Sequence, residues 1–395
     1  MVRVGRHGEG APGAPRIVHL STVHHTHDNR VFNKEARALT EAGHDFHLVI
    51  GAESDGPDDG IPVVALKRRG RLGRIVAGQA EAWGVLRRLR PDLLQVHDPE
   101  LIPLALLWGR SHHCRVVHDA HEDLVGQVDT KPYLRGPLKP VARMAARGLV
   151  GLADRGADAV VAATETVGRC FPHADVTVVR NYPWLASYDR PHRPVEGRMV
   201  YVGDLSRERM LPTMIEVTRR VRRQVPAAHL VLAGRVLPGC QEILDEAIEE
   251  GIVEHLGLVA PDQVPTILSQ ASVGLVLLEP LPNYTRSLPT KLFEYMAAEV
   301  AFCASDFPAW QEMFSGYGAG IFVDSQDVEA TSQALAELLA DPVLCRELGR
   351  AGREAVSAGL TFESQARALL DLTERLVGPP ARERDRGAGE GPALH

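Results

Sequence analysis

The fold class predicted is α/β, two doubly wound Rossmann-like domains in tandem facing across a cleft. Three observations predict it. Short apolar runs alternate with amphipathic helical patterns from residue 15 to 182, and the alternation restarts at 199 and continues to 360. A Pro- and Arg-rich stretch at 183–198 separates the two series and reads as a linker. With 395 residues, 45% hydrophobic and 24% charged, the chain has globular composition and length enough for two cores.

The first domain, 15–182, follows a Gly-, Pro- and charge-rich segment, 1–14, expected to be disordered. Arg16–Ser21 reads as a strand, Thr22–Asn29 as a loop, and Arg30–Ala42 as a helix with Val31, Phe32, Ala36 and Leu39 at helical spacing and Gly43 as its stop. Further strands are expected at 46–50, 62–66, 93–97, 115–119, 157–162 and 176–180, with helices near 75–89 and 101–108. Ligands of such domains sit beyond the C-terminal ends of the strands. The first loop there lacks Gly-x-Gly-x-x-Gly and instead gathers His24, His25, His27, Asp28 and Arg30. Metal binding and a merely solvated loop are both open for it, although helical ligand spacing and a second cluster are missing. His97, His118 and His121 stand at later strand ends, where an imidazole can exchange a proton near neutrality.

Between 131 and 155, Arg135, Lys139, Arg143 and Arg147 recur every four residues, while Leu138, Val141, Ala142, Ala145 and Leu149 fall largely on the other side. Pro137 and Pro140 suit a helix starting near Lys139. The pattern describes either a helix lying on anionic lipid or a solvated helix face over the core.

The second domain, 199–360, opens with the strand Met199–Val202, which runs into Gly203 and, after a loop holding Arg209, a helix over 212–224. Strands at 229–233, 253–256, 273–278, 300–306 and 320–323 follow, with helices at 241–250, 264–270, from about 287–290 onward, 328–340 and 342–358. A last helix covers 362–376, and the tail 378–395 is expected to be disordered. The unit 273–306 carries the chemistry. A helix opening near Leu288 and Thr290 offers unpaired N–H groups and partial positive charge to phosphate oxygens. Lys291 lies in its first turn, and Glu294, one turn on, is suited to accept a ribose diol. Gly203 lets the backbone turn close beside a ligand and Arg209 can pair with a diphosphate, so the outline is that of a nucleotide-diphosphate site.

The run Ser-Leu-Pro-Thr-Lys-Leu-Phe-Glu-Tyr-Met-Ala-Ala at 287–298 resembles the donor-site signature of retaining glycosyltransferase family 4, whose fold is GT-B. The resemblance extends over roughly 15–377. It implies a metal-independent hexosyltransferase that moves a sugar, with retention, from a nucleotide diphosphate donor to a hydroxyl acceptor in glycan, glycolipid or natural-product biosynthesis. UDP is the commonest nucleotide among relatives. In these terms Gly203, Arg209, Leu288, Thr290, Lys291 and Glu294 hold the donor, with Arg209 and Lys291 stabilising the leaving diphosphate. Asp-Ala-His-Glu at 119–122 looks like the variant of the family's interdomain histidine motif, which makes His121 the catalytic histidine. His27, Asp28, Arg30, His97 and Asn181 are expected on the acceptor side, and 361–377 is expected to cross back onto the first domain. The chain departs from the family pattern with Asp204 for an arginine, Met210 for a glycine, Arg286 for a glutamate, and Glu299 where the family has glycine. Arg286 is expected to compensate for the cation missing at 204. Glu299 is expected to alter its turn, since a side chain disfavours positive φ.

No cofactor beyond the donor is implied, and no divalent metal, because no Asp-x-Asp stands at a strand end and basic side chains take its place. A net charge of −7 gives no support to nucleic-acid binding. The five cysteines are scattered without a Cys-x-x-Cys pair, and no apolar run reaches membrane-spanning or signal-peptide character. A cytoplasmic protein is expected, with peripheral contact at the inner face of the membrane as an open possibility. The alternatives are a catalytically inactive nucleotide-sugar-binding relative, a nucleotide-sugar epimerase of related fold, which needs paired carboxylates that are not found, and a two-domain solute receptor.

Overall fold

The computed structural model describes residues 14–130, 138–285 and 287–380; Arg135, Pro137, Arg286, the first thirteen residues and 381–395 lie outside them. The chain divides into two units, one formed by 14–181 with 365–380 and the other by 182–364.

The first unit holds an eight-stranded sheet: β1 (Arg16–His25), β2 (Asp45–Gly51), β3 (Gly56–Asp58), β4 (Ile61–Leu66), β5 (Leu93–Val96), β6 (Arg115–Ala120), β7 (Ala159–Ala162) and β8 (Val176–Val178). Their spatial order is β3-β4-β2-β1-β5-β6-β7-β8, parallel except for β3, which pairs antiparallel with β4. β5 and β7 are buried at every residue, as strands covered on both faces must be. The helices α1 (Arg37–Glu41), α2 (Gln79–Leu89), α3 (Ile102–His112) and α4 (Leu138–Gly156) connect strands of this sheet. β1 runs four residues beyond the expected strand. It is held extended there because the buried Asp98 carboxylate accepts from the N–H groups of Thr22 and Val23 and from the hydroxyls of Ser21 and Thr22. α1 is entered through a π-helical turn, Val31–Ala36.

α4 carries the basic stretch, and part of its apolar side faces solvent. Leu138, Val141 and Met144 are 61%, 58% and 69% exposed, and the residues turned inward are Ala146, Ala153 and Asp154. Leu149 and Val150 pack against the core beside them, and at the end of the helix the fit is tight: a Cβ on Gly156 would lie 2.9 Å from the Leu106 side chain of α3. Asp154 is held inward by the backbone N–H and ring of His173.

The second unit holds a six-stranded, all-parallel sheet of β9 (Arg198–Val202), β10 (His229–Ala233), β11 (Val253–His255), β12 (Val273–Val276), β13 (Ala301–Ser305) and β14 (Gly320–Val323), in the order β11-β10-β9-β12-β13-β14. Its helices include α5 (Leu211–Gln224), α6 (Gln241–Glu249), α7 (Thr290–Ala297), α8 (Val328–Ala340) and α9 (Pro342–Ser357). α7 is pressed onto the sheet where the Tyr295 ring covers Gly274: a Cβ there would meet the ring at 2.5 Å. The stretch read as a linker is fastened to this unit by Arg193 and Val195 N–H bonds to the carbonyls of Ser269 and Gln270, and it contains a 3-10 turn, Leu185–Tyr188. α10 (Phe362–Val377) begins in the second unit and continues, from Gln365, in the first.

Candidate functional site

Two polar centres stand at the C-terminal ends of strands, one in each unit. In the second unit, β9 ends at Gly203, whose φ is +144°. A Cβ there would lie 2.9 Å from Lys291 Cε, 3.0 Å from its Nζ and 3.3 Å from Arg209 Nη1, so two cations, one from the first turn of α7 and one from the loop after β9, close over this glycine. Tyr201, an apolar-strand residue that sequence reading passed over, supports both: Lys291 Nζ is 5.4 Å from its ring centroid and Arg209 Nη1 is 3.5 Å from its hydroxyl. Burial works against the Arg209 charge, but Tyr201, Tyr284 and Asp204 outweigh it and hold the pKa above the ordinary value.

α7 starts at Thr290 behind Pro289, and no side chain caps it, so its first amides remain available to an anion. Trp310 Nε1 donates to the Ser287 carbonyl (2.9 Å) and Glu279 N–H to the Glu208 carbonyl (3.0 Å), fixing the loop that leads to Leu288 and joining it to the one that carries Arg209. Among the described residues, the half-buried side chains of Lys291 and Glu294 have no hydrogen-bond or ion-pair partner. Arg286, expected to help here, lies outside the described residues. Asp204, in the place of the expected arginine, has its Oδ2 3.1 Å from Arg235 Nη2. Glu299 adopts φ +60° all the same, so the turn keeps the left-handed backbone that its side chain disfavours.

In the first unit the hub is Asp119, fully buried, a residue that stood in the quoted histidine motif but was not singled out. It accepts from Arg30 Nε (3.1 Å) and Nη2 (2.7 Å), and it lies 2.9 Å from His97 Nδ1 and 2.8 Å from His121 Nε2. Burial would raise its pKa; Arg30, then His121 and His97, overcome this and hold it well below the carboxylate range. Around it, burial depresses the pKa of His19, His97 and His118, the last to about 4. Burial also lowers His24, but there Asp98 prevails and the net shift is upward. Burial, reinforced by Asp119, pushes Glu35 well up, although Arg30 Nε is 3.0 Å away.

This geometry corrects one acceptor-side expectation. Arg30 is buried and committed, with Nη1 donating to the Val179 carbonyl (2.6 Å), so it organises the interior rather than facing a ligand. Asp28 caps the π-helical turn by accepting from the N–H groups of Arg30 and Val31, and Asn181 accepts from Lys34 Nζ. His27 is exposed at φ +66°, 3.5 Å from Asp58. His97 is enclosed, whereas His121 keeps part of its ring open to solvent. Ligating atoms of His97, Asp119 and His121 do lie within 4.8 Å of one another. The Arg30 guanidinium already neutralises the shared carboxylate, which makes the set a hydrogen-bonded network rather than a prepared cation site.

Two family models match the chain, "Glycosyltransferase Family 4" over residues 29–182 and "Glycosyl transferases group 1" over 196–341. A glycogen synthase of Mycobacterium tuberculosis is 22% identical over 300 residues, covering 73% of this chain and 70% of its own. A GDP-mannose-dependent alpha-(1-6)-phosphatidylinositol monomannoside mannosyltransferase of the same species is 29% identical over 170 residues, 40% of this chain and 43% of its own. The solved structure of Anabaena HepE in complex with UDP-glucose superposes with a TM-score of 0.66 at 15% identity, covering 91% of this chain and all of the other.

Proposed function

The chain belongs to glycosyltransferase family 4, and starting from a glycosyltransferase with a nucleotide-sugar donor we propose that the donor is UDP-linked and that its sugar passes to a hydroxyl acceptor without a divalent metal. The observation that carries the reading is the closure of Lys291 and Arg209 over Gly203 beside the uncapped start of α7. Negative charge grows on the diphosphate as the glycosidic bond breaks. Two fixed cations and helix amides aimed at that charge stabilise the transition state more than the ground state. Glu294, unpaired and one helical turn after Lys291, accepts the ribose hydroxyls. His121, held through Asp119, offers an imidazole to the acceptor side. Uridine is favoured because the Anabaena relative was solved with UDP-glucose, whereas the mannosyltransferase relative uses GDP-mannose by its name.

Thermal unfolding with UDP, GDP, TDP and ADP, each with and without magnesium, tests the reading. UDP alone at about a hundred times its Kd should add about 2.7 kcal/mol to stability. Stabilisation by another diphosphate changes the base, a requirement for magnesium overturns the metal-free site, and no shift with any of them favours the inactive relative.

A second element concerns the acceptor. Leu138, Val141 and Met144 form an exposed apolar stripe on α4, with Arg147 exposed on the same helix. This supports peripheral docking on anionic lipid at the cytoplasmic face and hence a lipid-linked acceptor. No helix among the described residues is long and apolar enough to cross a membrane.

A further inference from the structure

Asp204 introduces a negative charge where the family signature carries a phosphate-binding cation, one residue after the glycine over which Lys291 and Arg209 close. The turn after β10 answers it. Arg235 Nη2 lies 3.1 Å from Asp204 Oδ2, and the two turns travel together as a parallel ribbon. Gly203 N–H donates to the Ala233 carbonyl (2.7 Å), Leu205 N–H to the Arg235 carbonyl (2.8 Å), and Leu237 N–H to the Leu205 carbonyl (2.9 Å), with a bridge between Leu205 and Val236. Contact is closest at Gly234, φ +148°, where a Cβ would fall 1.9 Å from the Gly203 carbonyl oxygen. The Arg235 backbone is therefore fixed against the phosphate turn, while its side chain is 62% exposed. An ion pair this open adds little to stability. An uncompensated carboxylate beside a diphosphate would, by contrast, repel it.

We infer that Arg235 is a third diphosphate-binding cation beside Arg209 and Lys291, delivered from the turn after β10 in place of the one absent at Asp204, and that Asp204 holds its guanidinium until the diphosphate arrives. The inference rests on the nucleotide-sugar reading above and adds a residue to it. Its specific consequence is selectivity for a diphosphate over a monophosphate, because a guanidinium reaching past the first phosphate can make charge-assisted bonds only to the second.

Calorimetric titration with UDP, GDP, ADP and TDP, and with the corresponding monophosphates, tests it on the full chain and on Arg235→Ala, Asp204→Ala, the double variant and Arg209→Ala. Arg235→Ala should weaken the preferred diphosphate about tenfold to a hundredfold. The monophosphate should change by less than about threefold, and the unfolding midpoint should stay at the wild-type value. The double variant should remain weak, because the cation itself is gone. Full recovery of wild-type affinity in the double variant would overturn the inference by showing that Arg235 only neutralises Asp204. Unchanged binding in Arg235→Ala alongside a loss in Arg209→Ala would overturn it and leave the donor site standing. A wild-type chain that binds none of the diphosphates would instead overturn the donor reading, and this residue's role with it.

Discussion

Arg30 grips Asp119 through two parallel bonds, Nε and Nη2 to the two carboxylate oxygens at 3.1 and 2.7 Å, with both residues buried. Removing one partner leaves the other charged and desolvated, which costs about 3–5 kcal/mol. Asp119→Asn and Arg30→Ala should each lower stability by that order in urea denaturation. A double-mutant cycle should show strong coupling; additive losses would mean the pair does not act as a unit.

His118, in the same layer, predicts a pH dependence. Its Nδ1 is 3.2 Å from the Val96 carbonyl, and burial lowers its pKa to about 4. Above an unfolded value of about 6.5 neither state is protonated and it has no effect. As pH falls below 6.5 the unfolded chain gains a proton the folded chain refuses, so stability is lost progressively down to about pH 4, by roughly 3 kcal/mol for this group. His19 and His97 act in the same direction, and Asp119, with its depressed pKa, adds a loss at still lower pH. His24, raised, contributes stability that is present at low pH and fades as pH rises through its folded value. Urea denaturation should give lower stability at pH 5 than at pH 7.5, and His118→Gln should shrink the difference. An equal difference in that variant would assign the dependence to other groups.

Lys291 and Glu294 separate binding from chemistry. Glu294→Ala should weaken nucleoside and nucleotide alike by about 1–3 kcal/mol, with little change in stability because its carboxylate has no partner to strand. Lys291→Ala should depress kcat far more than it weakens the nucleoside, since its charge is needed when the diphosphate leaves. Equal effects of Lys291→Ala on both would remove it from the diphosphate.

How much of this was legible follows from what each residue depends on. β10 and β14 have the bounds read from their apolar runs; β10 is buried from Leu230 to Ala233 and so carries an unbroken hydrophobic signal, and the edge strand β14, partly buried, keeps an apolar run of its own. β3, Gly-Pro-Asp at the sheet edge, and the helix Pro308–Phe314 have no such signal and were not expected. Gly203, Arg209 and Lys291 were named from motif spacing, and their convergence is now geometric. Asp119 and Arg235 were not singled out, since a charged side chain's partner in another turn leaves no trace in local sequence. The facing of α4 stays open in the sequence for a related reason: periodicity identifies two faces but not which one packs, and here Ala146 and Ala153 are buried and Leu149 and Val150 meet the core while Leu138, Val141 and Met144 are exposed.

That exposed stripe leads to the fourth prediction. Val141 and Met144 lie one turn apart, both mostly solvent-exposed, and burying such a side chain in the acyl boundary is worth about 1.5–3 kcal/mol each. Val141→Asp combined with Met144→Asp should abolish sedimentation with vesicles containing anionic lipid. Because neither side chain is packed, the unfolding midpoint should stay within a degree or two of wild type. Salt dependence divides the contributions: binding that weakens with ionic strength draws on Arg147 and its neighbours, and a residue insensitive to salt reports the apolar stripe. If the double variant sediments like the wild type, the stripe does not meet lipid and the solvated-face reading of this helix prevails.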